Sequence, residues 1–480
     1  MSDPRAALAR ALNPRTVAVV GDKRASGYMW LRNLSTFTGK VYSVQVDPRD
    51  IEGIQALGVP NYLSLTEIPD EVDYVVCAVP RQATPRVMQD AAAKGVGGVG
   101  MFTSGFAETG EELGRQLQDT VATIARQAGI ALIGPNCMGV YNPRLGLRFS
   151  AEQPAGVGGP IGVISQSGTH AINISLVAAA HGLYLSKAIS IGNAAVLDVP
   201  DYLEYLDRDP DTRVIAMYVE GVRDGRRFRD VLRDVARRKP VVLWKGGQTA
   251  AGTRATLSHT ASLTSSHVVW QALARQANCI SVDSLDELID VLQLLLRAKP
   301  GGGRRGALLA QTGGQSVVLT DAFAKAGMEV PELTAESYAR LAEFFNVIGG
   351  SYRNPLDMAG TVNQRPEHLD RIFAIVDADP HIDAIVMELS ALFMARRWLQ
   401  HPEQFTDLVH RLERHRERSA KPFLTILHPG HLEAEVASLR PQIQEHGIPV
   451  LPSFERAARA LARVTAYERA RAELATPASA

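Results

Sequence analysis

The sequence predicts an α/β protein built from three consecutive doubly wound parallel-sheet domains. Three observations predict it. At 480 residues the chain is too long for one compact core, and two to four domains are expected at that length. Short apolar runs ending in glycine alternate with amphipathic stretches along the chain; strands buried on both faces, with helices between them, make a parallel sheet. Many of the 40 glycines cluster between apolar runs, where tight strand-to-helix turns need them.

Taken in order, TVAVVG (16–21), KVYSVQVD (40–47) and VDYVVCAVP (72–80) read as strands. PRVMQDAAAKG reads as a helix stopped by Gly95, since glycine tolerates the left-handed conformation that ends helices. GVGGVGMFTSGF is a further strand and turn, ELGRQLQDTVATIARQAG a long amphipathic helix, and IALIGPNC closes the unit, placing a first domain at 1–146. The second domain, 147–298, opens with GPIGVISQSG (159–168). It continues through the strands LSKAISIG, VIAMYVEG and PVVLWKGG, with helices such as RRFRDVLRDVARR between them. Residues 299–306, rich in Pro, Gly and Arg, read as a linker. The third domain, 306–470, starts with ALLAQTGGQSVVLTDAFAKAG and adds the strands AIVMELS, PFLTILHPG and IPVLPS before a helical tail. VISQSG and LLAQTGG are similar, which points to an internal repeat.

Composition narrows the function classes. Lys+Arg and Asp+Glu are equal at 51 each, so no global basic field draws nucleic acid or anionic lipid. The three cysteines, Cys77, Cys137 and Cys279, are far apart and form no CxxC pattern. Neither a disulfide framework nor a zinc site is expected. The N-terminal stretch carries no secretory signal pattern and no apolar run reaches the roughly 18–20 residues that span a bilayer. A cytoplasmic protein is expected, with no metal, nucleic-acid or membrane partner.

Four stretches carry candidate chemistry. VVGDKRASG puts Gly21 straight after a strand, with Lys23 and Arg24 beside it, without the G-x-G-x-x-G spacing of a dinucleotide fingerprint. It is either a phosphate cradle or a plain turn. VISQSGT sets Ser165, Ser167, Gly168 and Thr169 where a buried strand meets a helix. Hydroxyls and free N–H groups there make an anion cradle, whereas helix capping needs only one such residue. MYVEGVRDGRR puts Glu220 at the carboxyl end of a strand, where ligands bind in open parallel sheets. The other reading is a surface ion pair with Arg223 or Arg226. His259 lies in GGQTAAGTRATLSHTASLTSS, long, small and glycine-dotted. A lone histidine is ordinarily a satisfied surface or core residue. Such a loop cannot fill a core, however, and an imidazole acting as a nucleophile toward phosphorus fits the setting.

GPNCMG, ISQSGT, ISIGN, YVEGV and GGQTAAGTRATLSHTASL, in this order over about residues 10–295, resemble the nucleoside-diphosphate-forming acyl-CoA synthetases of the succinyl-CoA synthetase superfamily. AQTGG and NPLDM (354–358) resemble the extra domain of the ADP-forming acetyl-CoA synthetase α subunits. The resemblance implies a Rossmann-like CoA-binding domain followed by two flavodoxin-like domains, the second domain carrying a phosphohistidine. It places Gly21 and Lys23 near the CoA phosphates. On that resemblance Val79, Pro80, Ser104, Gly105 and Phe106 would line the nucleotide and pantetheine path, and Asn136 and Cys137 would lie near the thiol end. By the same resemblance His259 would be the phosphorylated residue, Ser165, Ser167, Gly168 and Thr169 would hold the phosphoryl group, and Glu220 would orient the imidazole. The implied activity interconverts acyl-CoA, ADP and phosphate with acid, CoA and ATP through an acyl phosphate and the phosphohistidine.

No stretch reads as an ATP-grasp domain. The resemblance therefore implies a separate β subunit that supplies it, holding ATP or ADP and Mg2+, in a hetero-oligomer. The chain departs from the family's pattern at Val196, where an acid is usual, at Ala261 after SHT, at His267, and in the first turn, GDKRASG. Val196 and Trp270 suit an acid more apolar than acetate. These departures motivate an alternative, a regulatory homologue that binds CoA or acyl-CoA without phosphotransfer. A nicotinamide-dependent dehydrogenase is disfavoured by the missing fingerprint and the two further α/β domains.

Overall fold

The computed structural model describes residues 4–254, 267–363 and 365–475. They form two compact units, Met1–Asp283 and Ser284–Ala480. The first unit holds two six-stranded sheets and the second a five-stranded sheet.

In the first sheet β1 (Thr16–Val20), β2 (Lys40–Val44), β3 (Asn61–Tyr62), β4 (Tyr74–Cys77), β5 (Gly98–Met101) and β6 (Ala131–Ile133) run parallel in the order β3-β2-β1-β4-β5-β6. All five residues of β1 are buried, as expected of a central strand covered on both faces. The chain winds from β1 to one edge, then returns to β4 and winds to the other. The reversal between β1 and β4 leaves the crevice in which doubly wound sheets bind ligands. Gly95 ends the helix Thr84–Lys94 with φ 70°, as its position in the sequence predicts.

The second sheet comprises β7 (Gly139–Tyr141), β8 (Ile161–Ser165), β9 (Leu185–Ser190), β10 (Val214–Val219), β11 (Val241–Lys245) and β12 (Ile280–Val282) in the order β12-β11-β10-β8-β9-β7. All pairs are parallel except β7 with β9. β7 falls inside the stretch assigned from sequence to the first domain, yet it hydrogen-bonds to the open edge of β9. The reversal here lies between β8 and β10.

The second unit's sheet holds β13 (Gly306–Ala310), β14 (Leu356–Asp357), β15 (Ala384–Glu388), β16 (Phe423–Ile426) and β17 (Val450–Leu451), all parallel, in the order β14-β13-β15-β16-β17. This repeats the order β9-β8-β10-β11-β12 of the second sheet, so the internal repeat seen in VISQSG and LLAQTGG extends to topology. Asn354 locks β14 in place: its carboxamide donates to Gly306 O at 3.0 Å and accepts from Leu308 N at 3.0 Å. The helix Leu285–Arg297, read from sequence as the end of the second domain, packs in this unit against the helix Phe454–Ala475. Its buried residues include Asp290 and Gln293 as well as leucines, and a helix apolar on most sides needs cover on most sides. Arg456 completes the contact with a bidentate pair to Asp290 at 2.7 and 2.8 Å. No described helix is long and apolar enough to cross a membrane.

Candidate active site

The first crevice opens where β1 and β4 part. Gly21 takes φ 90°, and a Cβ there would lie 2.5 Å from Val79 Cγ1, so only glycine lets the two strand ends close up. Lys23, Pro80 and Ser104 are exposed at this rim and Val79 is half-buried. Asp22, which the sequence did not single out, is buried and turned inward. It accepts from Leu31 N at 2.9 Å, Ser26 Oγ at 3.0 Å and Lys23 N at 3.1 Å. Burial raises its pKa against these hydrogen bonds. Its signal was an acid directly after a strand-end glycine.

Ser104, Gly105 and Phe106 form the next turn along. Gly105 adopts φ 96° and Phe106 is buried. Glu108 Oε1 gathers the N–H groups of Gly105 (2.6 Å) and Phe106 (3.2 Å), while its Oε2 accepts from Asn193 Nδ2 at 2.6 Å. Glu108 thus ties this turn of the first sheet to the loop after β9. A second tie runs beside it: Asn193 N donates to Pro135 O, Ala195 N to Gly134 O and Met138 N to Ser190 Oγ, each at 3.0 Å. Asn136, half-buried with φ 59°, faces that loop, with Nδ2 3.4 Å from Asn193 Oδ1. Cys137 faces the other way. Its Sγ donates to Ile133 O at 3.3 Å, and burial pushes its thiol up to about 12, so the sulfur is a packed group.

The second crevice lies between β8 and β10. Ser165 is fully buried, donating from Oγ to Ser167 O at 2.7 Å and accepting from Ser167 N at 3.2 Å, so its hydroxyl shapes the turn. Ser167 caps the helix Gly168–Ala180 by accepting from His170 N at 3.3 Å. The N–H groups of Gly168 and Thr169 find no acceptor among the described residues, and Thr169 is exposed. Free N–H groups at the positive end of a 13-residue helix receive an anion. Ser167 therefore caps the helix, while the N–H groups of Gly168 and Thr169 stay without an acceptor among the described residues.

Glu220 stands opposite, 3 % exposed. It is no surface ion pair: Tyr218 OH donates to Glu220 Oε1 at 3.2 Å, while Arg223 turns to Asp198 and to the carbonyls of Ala195 and Val196. Gln166 bridges the crevice, its Oε1 accepting from Glu220 N and Gly221 N and its Nε2 donating to Gly221 O. At the end of β11, Lys245 is buried. It donates to Gly246 O and lies 5.3 Å from the Trp270 ring centroid. Burial lowers its pKa, against the pull of Glu220. His170 packs tilted against Tyr218 and edge-on to Trp244, at centroid distances of 4.3 and 4.5 Å. Sequence reasoning missed Gln166, Lys245 and His170. The first two were visible as polar residues at strand ends, and Gln166 recurs as Gln311 in the repeat.

The two crevices meet. A Cβ on Gly168 would lie 2.8 Å from Met138 Cγ, so the chain leaving the GPNC turn passes against the N-terminus of the capped helix. Val196 packs on the core of the first sheet, and Trp270 is buried against Phe228 at 5.5 Å. His267 lies on the helix His267–Gln276, its Nε2 2.8 Å from Gln271 Nε2. His259 and Ala261 lie outside the described residues.

Comparison with known proteins adds to this geometry. A CoA binding domain model matches residues 15–143 and a succinyl-CoA ligase like flavodoxin domain model matches residues 158–295. The α subunit of ADP-forming acetate–CoA ligase I from Pyrococcus furiosus is 33% identical over 470 residues, 96% of this chain and 98% of the relative. ADP-forming acetate–CoA ligase I from Archaeoglobus fulgidus is 35% identical over 384 residues, 79% of this chain. The match spans 54% of that relative, about half its length. Among solved structures, the dinucleotide forming acetyl-coenzyme A synthetase 1 of Ca. Korarchaeum cryptofilum, in complex with phosphate and ADP, superposes with a TM-score of 0.83 at 28% identity. That match covers 98% of this chain and 99% of the solved one.

Proposed function

We propose that this chain, which belongs to the family of ADP-forming acetate–CoA ligase α subunits, is the CoA-binding and phosphoryl-carrying part of an acid–thiol ligase. CoA is its substrate, held along Gly21, Lys23, Val79, Pro80 and the 104–106 turn, with the thiol end toward Asn136. In the direction of ATP synthesis, a phosphate oxygen attacks the thioester carbonyl. The C–O bond forms, the C–S bond breaks, and CoA leaves as thiolate to take up a proton. A nitrogen of His259 then attacks phosphorus, the P–N bond forms, and the carboxylate leaves. Neutral imidazole is nucleophilic near pH 7, and the phosphoramidate keeps a high transfer potential.

The N–H groups of Gly168 and Thr169 and the helix dipole receive the migrating phosphoryl group, the pre-oriented electrostatic stabilisation that such transfers need. Glu220 orients the imidazole. ADP and Mg2+ belong to a separate ATP-grasp β chain in a cytoplasmic hetero-oligomer, which takes the phosphoryl group from nitrogen to the nucleotide. The carrying observation is the junction of the two crevices, Met138 against Gly168 and Glu108 on Asn193. It supports the reading by tying the 104–106 turn to the loop after β9 and the GPNC turn to the helix end at Gly168.

The test is phosphorylation. Acyl-CoA, phosphate and chain should yield an acid-labile, base-stable phosphoprotein, and His259→Ala should abolish it. CoA binding without label in any condition would leave the regulatory alternative instead. Synthesis of acyl-CoA from ATP by the chain alone would overturn the need for a β chain.

A further inference from the structure

The stretch that carries His259 leaves the second sheet at the end of β11 and returns through the helix His267–Gln276, which leads into β12. A large buried residue stands at each end. Lys245 closes β11 and is 5 % exposed; Trp270, near the start of the helix, is 4 % exposed. On β11, Trp244 pairs with Tyr218 of β10 and turns to His170. Successive strand residues face opposite ways, so Lys245 takes the other face, where Trp270 lies. The Lys245 ammonium sits 5.3 Å from the centre of the indole ring, within the roughly 6 Å over which a ring face attracts a cation.

Of the helix only Trp270 and Ala274 are buried, while Val268 and Val269 are exposed. Trp270 therefore seats the start of this helix, through Lys245 and through Phe228, whose ring centroid lies 5.5 Å from its own. At the other end the backbone folds straight back on Lys245. Gln248 Nε2 donates to Lys245 O at 3.0 Å, and Thr253 Oγ1 to Gly247 O at 3.1 Å.

Bulk alone does not explain a lysine here. A buried ammonium is costly without a partner, and a methionine fills a similar length. Lys245 makes no ion pair among the described residues; its Nζ donates to Gly246 O. What favours the charged form is the indole face, that carbonyl and the charge of Glu220. A Cβ on Gly246 would lie 3.2 Å from Glu220 Cγ, so the same strand end abuts the carboxylate that orients the histidine in the proposed function.

We propose that Lys245 and Trp270 are a positioning pair, an ammonium on an indole face that joins the two ends of the stretch carrying His259 and fixes the base from which the imidazole works. The assignment rests on the phosphohistidine reading and adds the groups that hold this stretch.

Two readouts on the full chain test it. Hydrogen exchange at amides 246–254 and 267–270 follows the ends of the stretch without phosphate chemistry. Rapid-quench labelling with acetyl-CoA and phosphate follows His259. Lys245→Met keeps the length and removes the charge. Exchange at both ends should rise, and labelling should slow, about tenfold each. CoA affinity, read by calorimetry, should not move, as it would in a general loss of fold. Lys245→Arg, which keeps a cation for the ring, should restore most of the labelling rate. Trp270→Leu should repeat the effect of Lys245→Met. The double variant should be no slower than the slower single one, since a pair is broken only once. Unchanged exchange at 267–270 in Lys245→Met overturns the proposal, as do separate effects that multiply in the double variant. A labelled wild type whose rate neither substitution alters strikes the pair alone. No label on the wild type, with exchange responding as expected, supports the pair as a clamp and strikes the phosphohistidine reading.

Discussion

Gln166 is bound to the backbone at Glu220 across the second crevice: its carboxamide oxygen accepts from the N–H groups of Glu220 and Gly221, and its nitrogen donates to Gly221 O at 2.8 Å. Three buried backbone groups at the end of β10 therefore depend on one side chain from the end of β8. Gln166→Leu leaves them unsatisfied in an interior, at about 1–3 kcal/mol for each buried group. The expected outcome is a melting temperature several degrees lower, about 2–4 °C per kcal/mol at this size. A fall in His259 labelling should exceed what the melting shift accounts for at assay temperature. Labelling at the wild-type rate would show that Glu220 needs no such brace.

Glu220 itself separates orientation from folding. Glu220→Gln keeps shape and burial while removing the charge. A hydrogen bond to a charged partner contributes about 1.5–3 kcal/mol, so phosphoryl transfer to the histidine should slow roughly 10- to 100-fold. Tyr218→Phe removes only the phenol that donates to Glu220 Oε1. Burial raises that phenol's pKa, which keeps it a proton donor at every working pH. Its loss should slow transfer only a few-fold. Rapid-quench measurement of the phosphoprotein orders the two variants, and Tyr218→Phe slower than Glu220→Gln would reverse the roles assigned here.

Much of this arrangement was legible in the sequence because it is local. Ser167 and Thr312 each stand at a strand-to-helix turn, and both are caps. The glycines that end strands and helices are where the turns fall. What was not legible depends on distant pairings. Gln166 and Glu220 are 54 positions apart, and nothing in SQSG shows that its glutamine reaches another strand. Residues 139–141 continue directly from GPNC, so the sequence keeps them in the first domain; only the open edge of β9 explains why they cross over. Trp270 follows a polar loop in the sequence, but its packing on Phe228 makes it core.

Asp22 offers a test of the first crevice. Its carboxylate holds Leu31 N, Lys23 N and Ser26 Oγ at the strand end where CoA phosphates are placed by the proposed function. A negative charge there repels a phosphate across a few ångströms of partly screened space. Asp22→Asn retains an acceptor for Leu31 N and removes the charge. CoA should then bind a few-fold more tightly, with the gain shrinking as salt is raised. Dephospho-CoA should show a smaller gain if the 3′-phosphate is the group nearest Asp22. Unchanged CoA affinity at low salt would move the phosphates away from this turn.

Glu388 makes the second unit's stability depend on pH. It is 2 % exposed and its pKa is raised to about 7, first by burial, with the nearby charge of Asp357 adding to it. The folded protein holds this proton up to about pH 7, whereas the unfolded chain releases it near 4.5. Between those values the folded state binds more protons, so stability is fully present at low pH and falls as pH rises toward 7. The difference corresponds to roughly 3 kcal/mol at most. Glu388→Gln keeps an acceptor for Gln311 N and removes the ionisation. The variant should match the wild type near pH 5, exceed it increasingly up to about pH 7, and keep a constant margin above that. Hydrogen exchange at the amides of β13 and β15 reads this unit without requiring the whole chain to unfold in one step. Parallel pH profiles for the two proteins would mean that Glu388 is already ionised and compensated in the fold.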